Sequence, residues 1–268
     1  MSLFAPLNPP LVDWRGKTAW IVGASSGIGL ATASALLARG ARVAVSARHR
    51  EALDALAAQH PAAAPGDAPR VVVLPLDVSD AQAVAAAWVQ LRALGPVDFM
   101  LCSAGTYQAL RADGFDLDVM LAHQKINYVG TLNVLAAVLP DFVARGAGHL
   151  SFTSSVAGFR GLPQSLAYGP TKAALTNLTE VLYADLHARG IGVSVIQPGF
   201  VDTPLTAQNG FRMPALITPA QAADAMLAGW ARGAFEIHFP RRFTAWMKLL
   251  RVLPYRLYFP VVQRFTGL

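Results

Sequence analysis

Short runs of β-branched and aromatic residues alternate along this chain with longer alanine- and leucine-rich stretches, and no other feature narrows its possible folds as far. Runs at 18–22, 42–46, 71–75, 98–102, 149–153, 192–197 and 235–239 read as strands, with helical stretches between them. Repeated strand–helix–strand units of this kind build a parallel sheet covered by helices on its faces. The expected fold is therefore α/β, single-domain and doubly wound, with about seven parallel strands. No internal repeat of 20–50 residues interrupts the pattern. The segment 60–70, with Pro61, Pro65, Gly66 and Pro69, reads as a loop of more than ordinary length.

With 268 residues, the chain fits one large domain. At 54% hydrophobic and 14% charged it is no disordered or solvating chain. It has no uninterrupted apolar run near the roughly 18–20 residues that a spanning helix needs. The first ten residues show neither a basic start nor an apolar run of signal length, so a secretory leader is not expected. The single cysteine, Cys102, forms no internal disulfide, which suits a reducing compartment, and a cytoplasmic protein is expected. The net charge of +6 sits almost wholly at one end. After Glu236 there is no acid, while Arg241, Arg242, Lys248, Arg251, Arg256 and Arg264 follow. A nucleic-acid binder spreads a basic face over its fold, so no nucleic acid is expected as a partner. Residues 1–240 accordingly read as the α/β domain and 241–268 as a basic extension.

The first strand runs into Gly23-Ala24-Ser25-Ser26-Gly27-Ile28-Gly29, followed by helical sequence from Leu30 to Ala38. Glycines in a strand-to-helix turn let the backbone approach a pyrophosphate, which the free N–H groups of the helix start then bind. The spacing Gly-x-x-x-Gly-x-Gly resembles that of the short-chain dehydrogenase/reductases, whose fold is of the Rossmann type. At the end of the second strand, where an NAD enzyme places Asp or Glu for the ribose, this chain has Ala47-Arg48. Without a carboxylate there is nothing to repel a 2′-phosphate, and a guanidinium pairs with it through two hydrogen bonds. NADP (as NADPH) is thus expected over NAD, with His49 and Arg50 as possible helpers; the plainer alternative is that Arg48 only opens a loop. Leu76-Asp77-Val78 is similar to the family's adenine-contacting turn, although a capping role for Asp77 or Ser79 at the next helix explains it locally as well. Cys102-Ser103-Ala104-Gly105 takes the place of the family's Asn-Asn-Ala-Gly, and Val22 that of a threonine before the first glycine. Side-chain hydrogen bonds between neighbouring strands are lost there, which puts local rigidity in question, while Gly105 and the backbone path remain.

Tyr168 and Lys172 stand one helical turn apart in a helix expected over 167–186, so both project from one face. Reducing a ketone needs a proton donor for its oxygen, and oxidising an alcohol needs the reverse. An ammonium about 4 Å from the phenol contributes roughly 4 kcal/mol at an effective dielectric of about 20, enough to lower the phenol by about three pKa units before burial subtracts from it. Ser155, after the fifth strand, offers a hydroxyl to hold the substrate oxygen; Ser154 reads as structural. Asn127 falls inside a helix, where asparagine has little intrinsic preference. The family resemblance makes it part of a proton relay, bending that helix around a water that links Lys172 to solvent. Pro198-Gly199-Phe200-Val201-Asp202-Thr203 resembles the family's nicotinamide clamp, with backbone near Val201 on the carboxamide and Thr203 on amide or phosphate. The expected working set is Asn127, Ser155, Tyr168 and Lys172, and no metal ligands are assigned.

The segment 204–219 lies where the family carries its substrate lid, and offers Leu205, Phe211, Met213, Leu216 and Ile217 with Arg212 as its only charge. An apolar carbonyl or alcohol substrate is one reading; packing against the tail or a second subunit in a homo-oligomer is the other. Phe243, Trp246, Met247, Leu250 and Leu253 recur at helical spacing opposite Thr244, Lys248 and Arg251, up to Pro254. This basic amphipathic helix reads as lying on the inner face of a membrane, covering the active-site mouth, or packing on its own domain or a partner. Two other functions stay open on the same fold: a regulator that binds NADPH without turnover, and a membrane-docked interaction protein.

Overall fold

The computed structural model describes residues 5–62 and 68–266. The central part of the loop expected over 60–70 lies outside them. Seven strands occur among the described residues: β1 (Thr18–Val22), β2 (Arg42–Ser46), β3 (Val71–Val73), β4 (Phe99–Cys102), β5 (Gly148–Thr153), β6 (Ile191–Pro198) and β7 (Glu236–Phe239). They form one parallel sheet in the order β3-β2-β1-β4-β5-β6-β7. The helices are α1 (Gly27–Ala38), α2 (Arg50–Gln59), α3 (Ala81–Arg92), α4 (Leu117–His123), α5 (Gly130–Arg145), α6 (Tyr168–Leu186), α7 (Pro219–Ala231), α8 (Arg241–Val252) and α9 (Tyr255–Thr266). This is the expected doubly wound Rossmann arrangement.

The strands are mostly apolar and largely buried because both faces are covered. In β1, Ala19 and Ile21 enter one core with Leu36, Leu37, Phe99 and Trp230, while Trp20 and Val22 enter the other with Trp88, Val134 and Phe142. Two of the buried indoles are satisfied by strand serines, Trp20 donating to Ser46 of β2 at 2.9 Å and Trp230 of α7 to Ser151 of β5 at 3.0 Å. Val22 pairs in register with Cys102, and both lie in the same apolar core. The strand-tying side chains of the family pattern are thus replaced together by a packed pair, and the backbone bond from Ser103 N–H to Val22 O (2.8 Å) persists.

From β1 the chain winds outward to β3, and from β4 it winds the other way to β7, so a crevice opens at the carboxyl ends of β1 and β4. Helix α3 starts on the side chain of Asp80, which accepts from the N–H groups of Gln82 and Ala83. The cap is therefore neither Asp77 nor Ser79. Asp77 instead accepts from Ser79 N–H at 2.8 Å, fixing its own turn.

The tail forms two helices, where the sequence pattern pointed to one. Helix α8 buries Phe243 in part and Met247 and Leu250 almost fully, but its buried face also holds Thr244, expected on the polar side. Its hydroxyl meets His238 Nδ1 at 2.7 Å and donates to Pro240 O at 3.0 Å, so burial costs it no hydrogen bond. Trp246, expected inward, is exposed. Helix α9 restarts after Pro254 and buries Tyr258 and Val262. Both helices pack on Val156 and Phe159 of the main domain.

Candidate active site

One cleft of about 240 Å³ lies over the crevice and is lined by residues from the glycine turn, the ends of β2 and β3, the β4 and β5 ends, the start of α6 and the β6 exit. All the candidate cofactor residues line it: Gly23, Ser25, Ser26, Gly27, Ile28, Gly29, Arg48, Asp77, Val78, Gly105, Tyr168, Lys172, Pro198, Gly199, Val201 and Thr203. Ser155 lines it as well. Asn127 does not; it is fully buried behind the wall.

The glycine turn is shaped for close backbone approach. A Cβ on Gly23 would stand 2.4 Å from Ala104 N, and one on Gly29 would stand 2.0 Å from Gly23 O. Ser26 caps α1 without a side-chain bond, and the first turn holds no acid, so its N–H groups and the helix dipole are left for an anion. At β6, the bridge between Val201 and Ile217 uses Ile217 N–H to Phe200 O and Asp202 N–H to Ile217 O, which leaves the Val201 N–H out of the pairing. Arg48 is exposed at the cleft edge and has no ion-pair partner among the described residues. Arg50 is held by Asp54 at 3.2 Å and does not line the cleft. The Asp77 carboxyl is held below its ordinary range, first by the Ser79 N–H and more weakly by the positive charges of Arg48 and Lys125. These features fit a dinucleotide: an anion-ready helix start, a spare amide at the β6 exit and, at the end of β2, a guanidinium with no ion-pair partner among the described residues.

Ser155 lies two residues past β5 and caps a short 3₁₀ turn (Val156–Gly158) by accepting from Ala157 N–H at 3.1 Å. Ser154 donates to Lys172 O at 2.7 Å and bonds Thr176 Oγ1 at 2.9 Å, pinning α6 to β5 in the structural role read for it. Lys172 is buried; its ammonium donates to Thr153 O at 2.8 Å and stands 5.4 Å from the centre of the Tyr168 ring. Gly105 lies beside it, where a Cβ would be in ordinary contact with Lys172 Nζ at 3.6 Å and closer, at 3.3 Å, to Asn127 Oδ1. Asn127 sits in a π-helical turn (Gln124–Val129) between α4 and α5, a local widening of the helix. Its Oδ1 accepts from Thr106 N–H at 2.7 Å, and its Nδ2 donates to Thr106 O at 3.0 Å and to Thr171 Oγ1 at 3.1 Å. The side chain thereby ties the loop after β4 to the turn of α6 that carries Lys172.

The electrostatics correct one expectation. Burial pushes the Tyr168 phenol up, and the nearby Ser155 hydroxyl pulls it back only in part. Burial likewise lowers Lys172 to about 8. With a value near 8 the lysine still holds its proton for the most part at neutral pH, but its ammonium is directed to Thr153 O, and burial outweighs the ion's pull on the phenol.

Four neighbours escaped the sequence reading. The Tyr107 ring packs edge-on against Tyr168, with centroids 5.1 Å apart. His123 stands beyond at 6.5 Å; its Nδ1 lies 2.7 Å from Val119 O and its Nε2 accepts from Gln108 N–H at 3.0 Å. Gln208 of the lid segment donates to Tyr107 O at 2.7 Å. Arg160, five residues past Ser155, holds the tail. It donates to Leu250 O and Arg251 O at 3.2 Å each and to Leu253 O, and lies 4.2 Å from both the Tyr255 and Tyr258 ring centres. None carries a motif signal, because each acts through a contact distant in sequence. Of the lid side chains, Leu205 lines the cleft, Phe211 and Leu216 are exposed, and Ile217 packs on the main core.

Residues 17–212 match the family model described as short chain dehydrogenase. An uncharacterized oxidoreductase of Myxococcus xanthus (strain DK1622) is 36% identical over 260 residues, covering 95% of this chain and 99% of that protein. An uncharacterized oxidoreductase of Staphylococcus aureus (strain MW2) is 32% identical over 212 residues, 79% of this chain and 89% of that one. Among solved structures, a short chain dehydrogenase from Burkholderia cenocepacia J2315 in complex with NADP is 28% identical, with a TM-score of 0.76 over 90% of this chain and 94% of that one.

Proposed function

Because the chain belongs to the short-chain dehydrogenase family, and is thus an oxidoreductase with a nicotinamide-binding fold, we propose that it is an NADPH-dependent reductase of apolar carbonyl compounds. The observation that carries this reading is the single cleft shared by the anion-ready glycine turn, Arg48 and the Ser155–Tyr168–Lys172 cluster. The α1 start would hold the pyrophosphate, Arg48 the 2′-phosphate, Asp77 and Val78 the adenine side, and Val201 and Thr203 the nicotinamide end. When bound, the cofactor supplies the hydride.

The residues of the chain handle the proton. Ser155 holds the carbonyl oxygen, and Tyr168 keeps its phenolic proton at neutral pH because burial raises its pKa. An alkoxide forming at that oxygen is a far stronger base than phenolate, so transfer from Tyr168 runs downhill. Lys172, held by Thr153 O, stabilises the resulting phenolate and passes a proton inward along the side of the cleft that Asn127 positions. The protonated phenol is the form that reduction requires. The apolar Leu205 in the cleft, with Tyr107 beside the phenol, supports a substrate with little charge.

The test is NADPH oxidation with a panel of apolar ketones and aldehydes, repeated in Arg48→Asp. At least one compound should be turned over with a lower KM for NADPH than for NADH, and the variant should erase or reverse that preference by about tenfold or more. Binding of NADPH with no turnover across the panel would favour a nucleotide-binding regulator instead.

A further inference from the structure

Helix α8 is apolar on two sides. The inward side meets the main domain through Phe243, Met247 and Leu250, while Ala245, Trp246, Leu249 and Val252 recur at helical spacing on the outside. Val252 is 74% exposed. Helix α9 repeats the arrangement, burying Tyr258 and Val262 and exposing Leu257, Phe259 and Phe265, the last at 71%. The two outer faces meet where Trp246 and Phe265 pack with ring centroids 5.9 Å apart, so they form one surface. A patch of this kind on a folded chain marks a contact.

Charge decides what covers it. Arg241, Arg242, Arg251, Arg256 and Arg264 are all exposed on these two helices, and none has an ion-pair partner among the described residues. The last acid before them in the sequence, Glu236, is paired with Lys248. A second copy docked through this face about a two-fold axis would bring the same guanidiniums together with no carboxylate between them. A bilayer carrying anionic headgroups supplies both requirements, acyl chains for Trp246, Leu249 and Phe265 and phosphates for the arginines.

We propose that the outer face of α8 and α9 docks this protein on anionic lipid bilayers. The inner faces of the same helices cover Val156 and Phe159, just past Ser155, and Phe243 stands against Gly199 and Phe200 at the cleft exit. Phe200 in turn touches the exposed Phe211 of the lid. Docking would therefore place the substrate mouth beside the lipid, where an apolar substrate partitions. That last consequence rests on the proposed reductase reading; the docking does not.

The test is flotation of the full chain with vesicles of phosphatidylcholine alone or mixed with phosphatidylglycerol. At low salt the mixed vesicles should carry about tenfold more protein than the neutral ones, and high salt should remove most of the difference. Trp246→Ser combined with Leu249→Ser should abolish flotation without unfolding the chain, since both side chains are exposed. Failure to float with anionic vesicles at low salt overturns the proposal, as does flotation unchanged in the double variant, which would leave only a nonspecific polyanion contact. A dimer in sedimentation that the double variant dissolves, without flotation, assigns the face to a second copy and overturns it too. Turnover of a water-soluble carbonyl, unchanged in the double variant, separates a failure of docking from a failure of the reductase reading.

Discussion

At Lys172 and Tyr168 two effects of opposite sign compete, and burial wins in the protein on its own. An ammonium several ångströms from the phenol would lower it, but both groups lie in a low-dielectric wall and each is driven toward its neutral form. This has a consequence for stability. Burial takes Lys172 from 10.5 to about 8, so between those values the unfolded chain holds a proton that the folded chain has released, and stability rises with pH across that window. Below it both states are charged, and the folded state bears the full cost of a buried ammonium. Lys172→Met has no such term. Denaturant unfolding should therefore show wild type gaining on Lys172→Met by up to roughly 3 kcal/mol as pH rises through the window. A difference that stays flat with pH would mean that the ammonium is not desolvated. Tyr168 and Lys172 were legible in the sequence because four-residue spacing puts them on one helix face, and Ser155 because it follows the fifth strand. The direction of the phenol shift was not, because it depends on how deeply α6 is sunk against β5, which no spacing encodes.

Among elements, the strands were legible almost to the residue, since β-branched runs buried on both faces leave little room for another reading. The tail was legible only in part. Pro254 ended the visible pattern at α8, and the amphipathic pattern of α9 was hidden because Pro254 before it and Pro260 inside it both read as helix breaks. Thr244 turned inward because His238 and Pro240 supply its hydrogen bonds, partners that the helix pattern cannot show. The piece that couples tail to site is Arg160, whose guanidinium caps the last carbonyls of α8 and lies against the Tyr255 and Tyr258 rings. Arg160→Ala should destabilise the chain by about 1–3 kcal/mol and raise the rate of limited proteolysis within 241–268. KM for carbonyl substrate should rise more than kcat falls, because the loop from Ser155 loses its backing while the phenol stays in place. Arg160→Lys should recover only part of this, having one point charge where the fork made several bonds. Unchanged proteolysis in Arg160→Ala would show that the tail is held by its apolar contacts alone.

On the scale of the molecule, the doubly wound topology does the assembling. Residues from the two halves of the sheet, β1–β3 with the anion-ready turn and β4–β6 with the proton-handling cluster, meet at one crevice only because the winding reverses between β1 and β4. The account's central claim is that a nucleotide held by the first half and a proton held on Tyr168 by the second act on the same substrate atom pair. Tyr168→Phe keeps the ring and its packing on Tyr107 and removes only the hydroxyl. With a carbonyl compound that the wild type reduces, the account predicts that this variant binds NADPH as wild type does in a fluorescence titration, while kcat falls by about 10²–10⁴. NADPH binding intact together with turnover at the wild-type rate would contradict it.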